Sequence, residues 1–195
     1  MRTRLVALAA ATATALSGCS MLDQASDSSD SSSQSTGSGD GAESSGPEGD
    51  PEENGAKAAN IDTENPPEAI ASVTLDRLNH DTVEETKVEL VELRKDTNVM
   101  LATFRLTGEG RGTEPTSAFD LLGDNSFRPV FVDMENMEKY RNVTDLTSND
   151  IGVKAPLGQP LYMFTAFPLP REGVETMDLQ IVSARAEIVD VPMPK

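Results

Sequence analysis

Residues 100–107 read Met-Leu-Ala-Thr-Phe-Arg-Leu-Thr. Met100, Ala102, Phe104 and Leu106 alternate with Leu101, Thr103, Arg105 and Thr107. Successive side chains of a strand point to opposite faces, so this run predicts a strand with one buried face. Met177, Leu179 and Ile181 alternate with Asp178 and Gln180 in the same way. Leu161–Phe167 is apolar on both faces, which suits a central strand. Outward from these runs the pattern predicts strands at 70–78, 86–94, 98–107, 117–122, 127–134, 160–167, 176–182 and 186–191. Lys95-Asp96-Thr97-Asn98 has the composition of a tight hairpin between the second and third strands. The Gly-rich run 108–112 is read as the loop after the third. Pro168 and Pro170 end a strand because they cannot donate to a ladder. Residues 83–95 are also rich in Glu and Lys. The spacing of Val88, Leu90, Val91 and Leu93 does not separate strand from short helix. Short strands with turn signals between them give an all-β fold, an immunoglobulin-like β-sandwich over residues 69–195.

Composition changes before that domain. Residues 20–68 hold six Asp and six Glu against Lys57 alone, and no aromatic residue. So little apolar surface cannot offset the entropy of ordering. Residues 19–68 are therefore read as a disordered Ser/Gly/Asp/Glu-rich tether. Residues 69–195 carry 21 acids, 13 bases and every aromatic residue. The whole chain has a formal net charge of −17, which leaves no basic footprint for nucleic acid.

The N-terminus is an address. Arg2 and Arg4 precede a short apolar run over residues 5–16, too short to span about 30 Å of hydrocarbon. Leu16-Ser17-Gly18-Cys19 resembles the lipobox of bacterial lipoproteins. That resemblance implies a signal peptide over residues 1–18, cleavage after Gly18 and a diacylglyceryl thioether on Cys19. A thiolate is a strong nucleophile toward a lipid donor, and Ser17 and Gly18 leave room for a peptidase. Cys19 is the only Cys, so the mature protein is expected to have neither a free thiol nor a disulfide. The expected location is the extracytoplasmic face of the cell membrane, with the membrane itself as partner through the lipid.

Three stretches carry a second resemblance: KVELVELRKDTNVMLATFRLTG, SFRPVFVDMENMEKYRNVTD and PLYMFTAFPLPREGVETMDLQIV, with a closing VDVPM. Together they resemble the uncharacterised immunoglobulin-like domain of high-GC Gram-positive (actinobacterial) secreted lipoproteins. Some of those proteins carry an OmpA-like domain after it. Many relatives have a Cys pair where this chain has Leu-Thr-Ser-Asn-Asp-Ile-Gly at 146–152. The chain ends at Lys195, so a peptidoglycan-binding OmpA-like function is not carried over. The resemblance implies a fold and a compartment, and no catalytic residues.

Chemistry-bearing constellations are sparse. His80 is the only His, expected in a solvated turn, and with no thiol near it neither a catalytic triad nor a conventional zinc site is expected. The Gly-rich run 108–112 lacks a following Lys-Ser/Thr and is not a phosphate cradle. Met134, Met137, Met163 and Met177 offer thioethers to copper(I), against the plainer reading of Met as core filler. Asp120, Asp124, Asp133, Glu135 and Glu138 offer oxygens to calcium, without EF-hand spacing. The expectation is a non-enzymatic surface lipoprotein without cofactor that binds an envelope protein or cell-wall component. The alternatives are a metal- or small-ligand-binding module (calcium or copper) and, behind it, a hydrolase. The connection 135–159 is the longest, and Lys139, Tyr140 and Arg141 in it are the candidate partner-binding residues, Tyr140 as aromatic anchor.

Overall fold

In a computed structural model, residues 53–76, 80–182 and 186–195 are described. The signal peptide, Leu16, Ser17, Gly18, Cys19 and the tether to residue 52 lie outside the described residues.

Among the described residues the fold is all-β and every strand pairing is antiparallel. The strands are β1 (Ala71–Asp76), β2 (Val83–Lys95), β3 (Val99–Gly110), β4 (Thr116–Ser117), β5 (Val130–Asp133) and β6 (Glu138–Arg141). After them come β7 (Val143–Thr147), β8 (Lys154–Ala155), β9 (Pro160–Pro168), β10 (Thr176–Val182) and β11 (Ala186–Pro192). A single helical turn, α1 (Ala118–Leu121), follows β4. One sheet has the order β1-β2-β3-β9-β7, the other β11-β10-β5-β6, and β4 pairs with β8. The alternation that predicted β3 sends Met100, Ala102, Phe104 and Leu106 into one core. Phe131, Leu179 and Ile181 enter the same core from the second sheet. Phe131 meets Phe167 of the first sheet edge to face at 4.8 Å. Such a core, fed from one face of each sheet, is what period-two patterning produces.

The hairpin at 95–98 is as expected, with Asp96 N–H donating to Val99 C=O at 2.8 Å. Residues 83–95 are strand and not helix. Their ambiguous spacing has a cause: the β2–β3 register slips between Val83 and Glu85, and again between Leu90 and Glu92. Each bulge adds one residue, so the buried positions, Val83, Thr86 and the run Val88 to Val91, miss strict alternation.

Four expectations are corrected. The strand read at 117–122 is not formed: only Ser117 belongs to a strand, β4, and Ala118–Leu121 is helical. Ser117 Oγ accepts from Asp120 N–H at 3.2 Å, and Asp120 Oδ2 accepts from Ser117 N–H at 3.2 Å. This capping box starts α1. The strand read at 127–134 is only Val130–Asp133, since Pro129 has no donor and Phe127 N–H is taken by Asp150 Oδ2. The Gly-rich loop begins later than residue 108, because β3 continues to Gly110. A Cβ at Gly108 would lie 2.3 Å from Leu121 Cδ2, so glycine there lets α1 close over the strand. Finally, the stretch 135–159 is not one long loop, since it contains β6, β7 and β8.

The reading of a disordered tether as far as residue 68 is also corrected at its C-terminal end. Residues 53–61 form a strap across the outer face of the five-stranded sheet. Glu53 C=O accepts from Lys154 N–H at 2.9 Å and Asn54 C=O from Tyr162 N–H at 2.7 Å. Ala56 and Ala59 are buried against Tyr162, with Ile61 and Phe164 packed beside them. The physical reason lies in β9, whose outward side chains Tyr162 and Phe164 are apolar and need a cover. Gly55 makes the approach possible. Its φ is +81°, and a Cβ there would sit 2.2 Å from Tyr162 C=O. Gly55→Val is therefore expected to release the strap and leave the two sheets folded. Trypsin cleavage after Lys57 should accelerate by about tenfold or more, with Phe104-containing peptides still protected. Unchanged cleavage would show that the clamp does not depend on this contact.

Among the described residues no helix is long and apolar enough to cross a membrane.

Candidate functional site

On the face of the five-stranded sheet turned away from the core, side chains line up across strands. One row runs Ser72, Glu89, Arg105, Tyr162 over β1, β2, β3 and β9. The next runs Thr74, Lys87, Thr107, Pro160, and a third begins Asp76, Glu85, Glu109. The strap and the residues after it wall one side of this surface, and Gly158 and Gln159 wall another. Together they border an open cleft of about 700 Å³. That is within the range of small-ligand sites, roughly 300–1,000 Å³.

Charge at the floor of the cleft is organised around Glu89, whose side chain is 8% exposed. Arg105 Nε donates to its Oε2 at 2.7 Å, and Lys87 Nζ lies 2.7 Å from its Oε1. A second Arg105 nitrogen reaches Pro67 C=O at 3.3 Å, which ties the chain after the strap to the floor. The Arg105 hydrogen bond holds the Glu89 carboxyl below its ordinary value, against the opposing effect of burial and with help from Lys87. Glu89 is thus an ionised, doubly paired group.

A depressed folded-state value stabilises the protein above the unfolded value, and that contribution is lost as pH falls through the folded value. Starting from the ordinary value of 4.5, stability should therefore decline as the medium is acidified below about pH 5. Glu89→Gln should be less stable than wild type at pH 7, and the difference should shrink by pH 3. A constant difference across urea titrations at both values would show that Glu89 is not the group responsible.

The other candidates fall elsewhere. Tyr140 of β6 is buried, donates from Oη to Glu138 at 2.9 Å and accepts from Arg171 N–H at 3.4 Å. It is a packed residue and not an exposed anchor, because the alternation of β6 turns it inward opposite Phe131. Lys139 and Arg141 flank it on the exposed face. Met163 and Met177 are in the core, whereas Met134 and Met137 are exposed, so the four thioethers do not converge.

The acidic residues divide into two places. Asp133 caps the β5–β6 turn through Asn136, and Glu138 pairs with Arg171. Asp120 and Asp124 stand near His80, and one ligand atom from each of the three comes within 4.8 Å of the others. Two features oppose a metal there. Nδ1 of His80 accepts from the N–H groups of Thr82 and Val83 at 3.3 Å, so its lone pair is used. In the neutral ring the proton then sits on Nε2, the nitrogen 3.8 Å from Asp120 Oδ1. Asp120 also commits Oδ2 to capping α1.

Sequence reasoning missed the cleft. Glu89 and Arg105 stand 16 positions apart and only the β2–β3 register makes them neighbours. The strap did leave a signal, the apolar outward face of 160–167.

No known protein-family model, curated protein or solved structure matches the chain.

Proposed function

We propose that this protein is a non-catalytic lipoprotein, anchored through Cys19 to the extracytoplasmic face of the membrane. Its immunoglobulin-like β-sandwich recognises an envelope protein or cell-wall component. The strap-walled cleft carries the reading: a preformed hollow of ligand size with a fixed, paired charge at its floor. The floor suits binding better than proton transfer, because Glu89 is held ionised by two cations and has no proton to give. The two antiparallel sheets sharing a core support the sandwich, and Leu16-Ser17-Gly18-Cys19 supports the anchor.

Anchoring and recognition are tested separately. Cys19→Ser is expected to move the protein from the membrane fraction to the medium, or to leave full-length precursor. Membrane-bound protein of mature size would refute the anchor. For recognition, a photocrosslinking residue is placed at Thr107 in the cleft and, separately, at Arg141 on β6. Adducts formed on intact cells from Thr107 and not from Arg141 support the cleft. Adducts from Arg141 alone, or from neither, reject it.

A further inference from the structure

We propose that the cleft takes a short peptide with free ends, its ammonium at Glu85 and Glu109 and its carboxylate at Lys87 and Arg105. This rests on the cleft being the recognition site. Along β2 and β3 the outward charges change sign. Glu85 and Glu109 are direct cross-strand partners, with no ion pair to either among the described residues. Like charges directly opposite one another destabilise a sheet, so this pair is a place where a cation is favoured. Further along the same face, Lys87 and Arg105 share the single carboxylate of Glu89 and leave one positive charge in excess. The Lys87 side chain is 53% exposed and open to a ligand.

The spacing sets the size of the occupant. Glu85 and Lys87 are two residues apart on β2, about 7 Å, and Glu109 and Arg105 are four apart on β3, about 13 Å. An extended peptide gains about 3.4 Å per residue, so terminal charges at those separations belong to roughly two to four residues. Thr74 and Thr107 share the Lys87 row, between the Glu85–Glu109 row and the Glu89–Arg105 row, and Gln159 lines the same cleft; their hydroxyl and amide groups match the donors and acceptors of a peptide backbone. The acids alone would attract any cation. The negative Glu85–Glu109 row beside the net positive group of Lys87, Glu89 and Arg105, in one open cleft, is what selects a molecule carrying both charges.

The probe is triglycine, titrated into the ¹⁵N-labelled protein and followed through its backbone amides. N-acetyl-triglycine, which lacks the ammonium, and triglycine amide, which lacks the carboxylate, are the comparisons. Triglycine is expected to shift amides of residues 85–89 and 105–109 saturably. Each blocked peptide should bind about tenfold more weakly or worse, as loss of one charged hydrogen bond implies. In a Glu85→Gln, Glu109→Gln variant, both exposed positions, triglycine and its N-acetyl form should bind alike. Saturable binding of blocked and free peptides with equal affinity would overturn the inference and leave the recognition role of the cleft standing. Absence of triglycine shifts at millimolar concentration would also overturn it, whatever the crosslinks from Thr107 show.

Discussion

Phe104→Ala is expected to lower the free energy of unfolding by about 3–5 kcal/mol. Phe104 is fully buried and meets Phe127 edge to face at 5.2 Å. Truncation removes the transfer free energy of a phenyl ring, forfeits the ring–ring contact and leaves a cavity between two sheets whose backbones are fixed by ladders. Phe127 cannot easily follow into the gap, because its N–H is held by Asp150 Oδ2 at 2.8 Å. The check is urea unfolding by circular dichroism, where the midpoint should fall with an unchanged slope. A loss under 1 kcal/mol would mean that the sheets collapse onto the space and that the core is looser than its burial indicates.

Arg105→Met is the second large effect, expected at about 2 kcal/mol. Removing one partner of a buried pair commonly costs 3–5 kcal/mol, because the remaining charge stays out of water. The smaller figure applies here for two reasons: Lys87 still pairs with Glu89, and the Arg105 side chain is 18% exposed, so solvent screens part of the loss. Met keeps most of the aliphatic stem, which separates lost charge from lost packing. The variant also loses the bond to Pro67 C=O, so amides of residues 62–68 should exchange faster with solvent. Hydrogen exchange and urea unfolding on the same variant check both parts. If stability falls while exchange over 62–68 is unchanged, Arg105 does not hold that segment down.

These two residues also show how far the sequence could be read. Phe104 was visible as core because β3 is regular beside it and alternation is local information. Arg105 was visible only as an outward-facing polar residue. Its partner is set by strand register, a property of two segments together that no single stretch carries. Bulges obscured β2 for a related reason: they shift the periodicity on which the reading depends. The turn at 117–122 was legible in principle, since Ser117 and Asp120 have capping-box spacing and Gly123, at φ +65°, ends the turn. The inward position of Tyr140 is not legible in composition, which does not say which face of a short strand an aromatic occupies. The strap was missed because its own residues are small and polar; the reason it binds lies in Tyr162 and Phe164, a hundred positions later.

The strap has a mechanical consequence. The described chain first meets the body at Glu53 and Asn54, whose carbonyls are gripped by β8 and β9, and not at the edge strand β1. A pull on the N-terminus is therefore delivered first to the interior of the sheet. The clamp at Gly55 and the contacts of Ala56 and Ala59 must fail before the load reaches β1 and begins to peel it from β2. Residues 62–66 then become slack, and the Arg105 bond to Pro67 C=O and the Ile70 N–H bond to Leu90 C=O take the load before β1 does. That order of failure places a small latch, made by Gly55, Ala56 and Ala59, ahead of the fold.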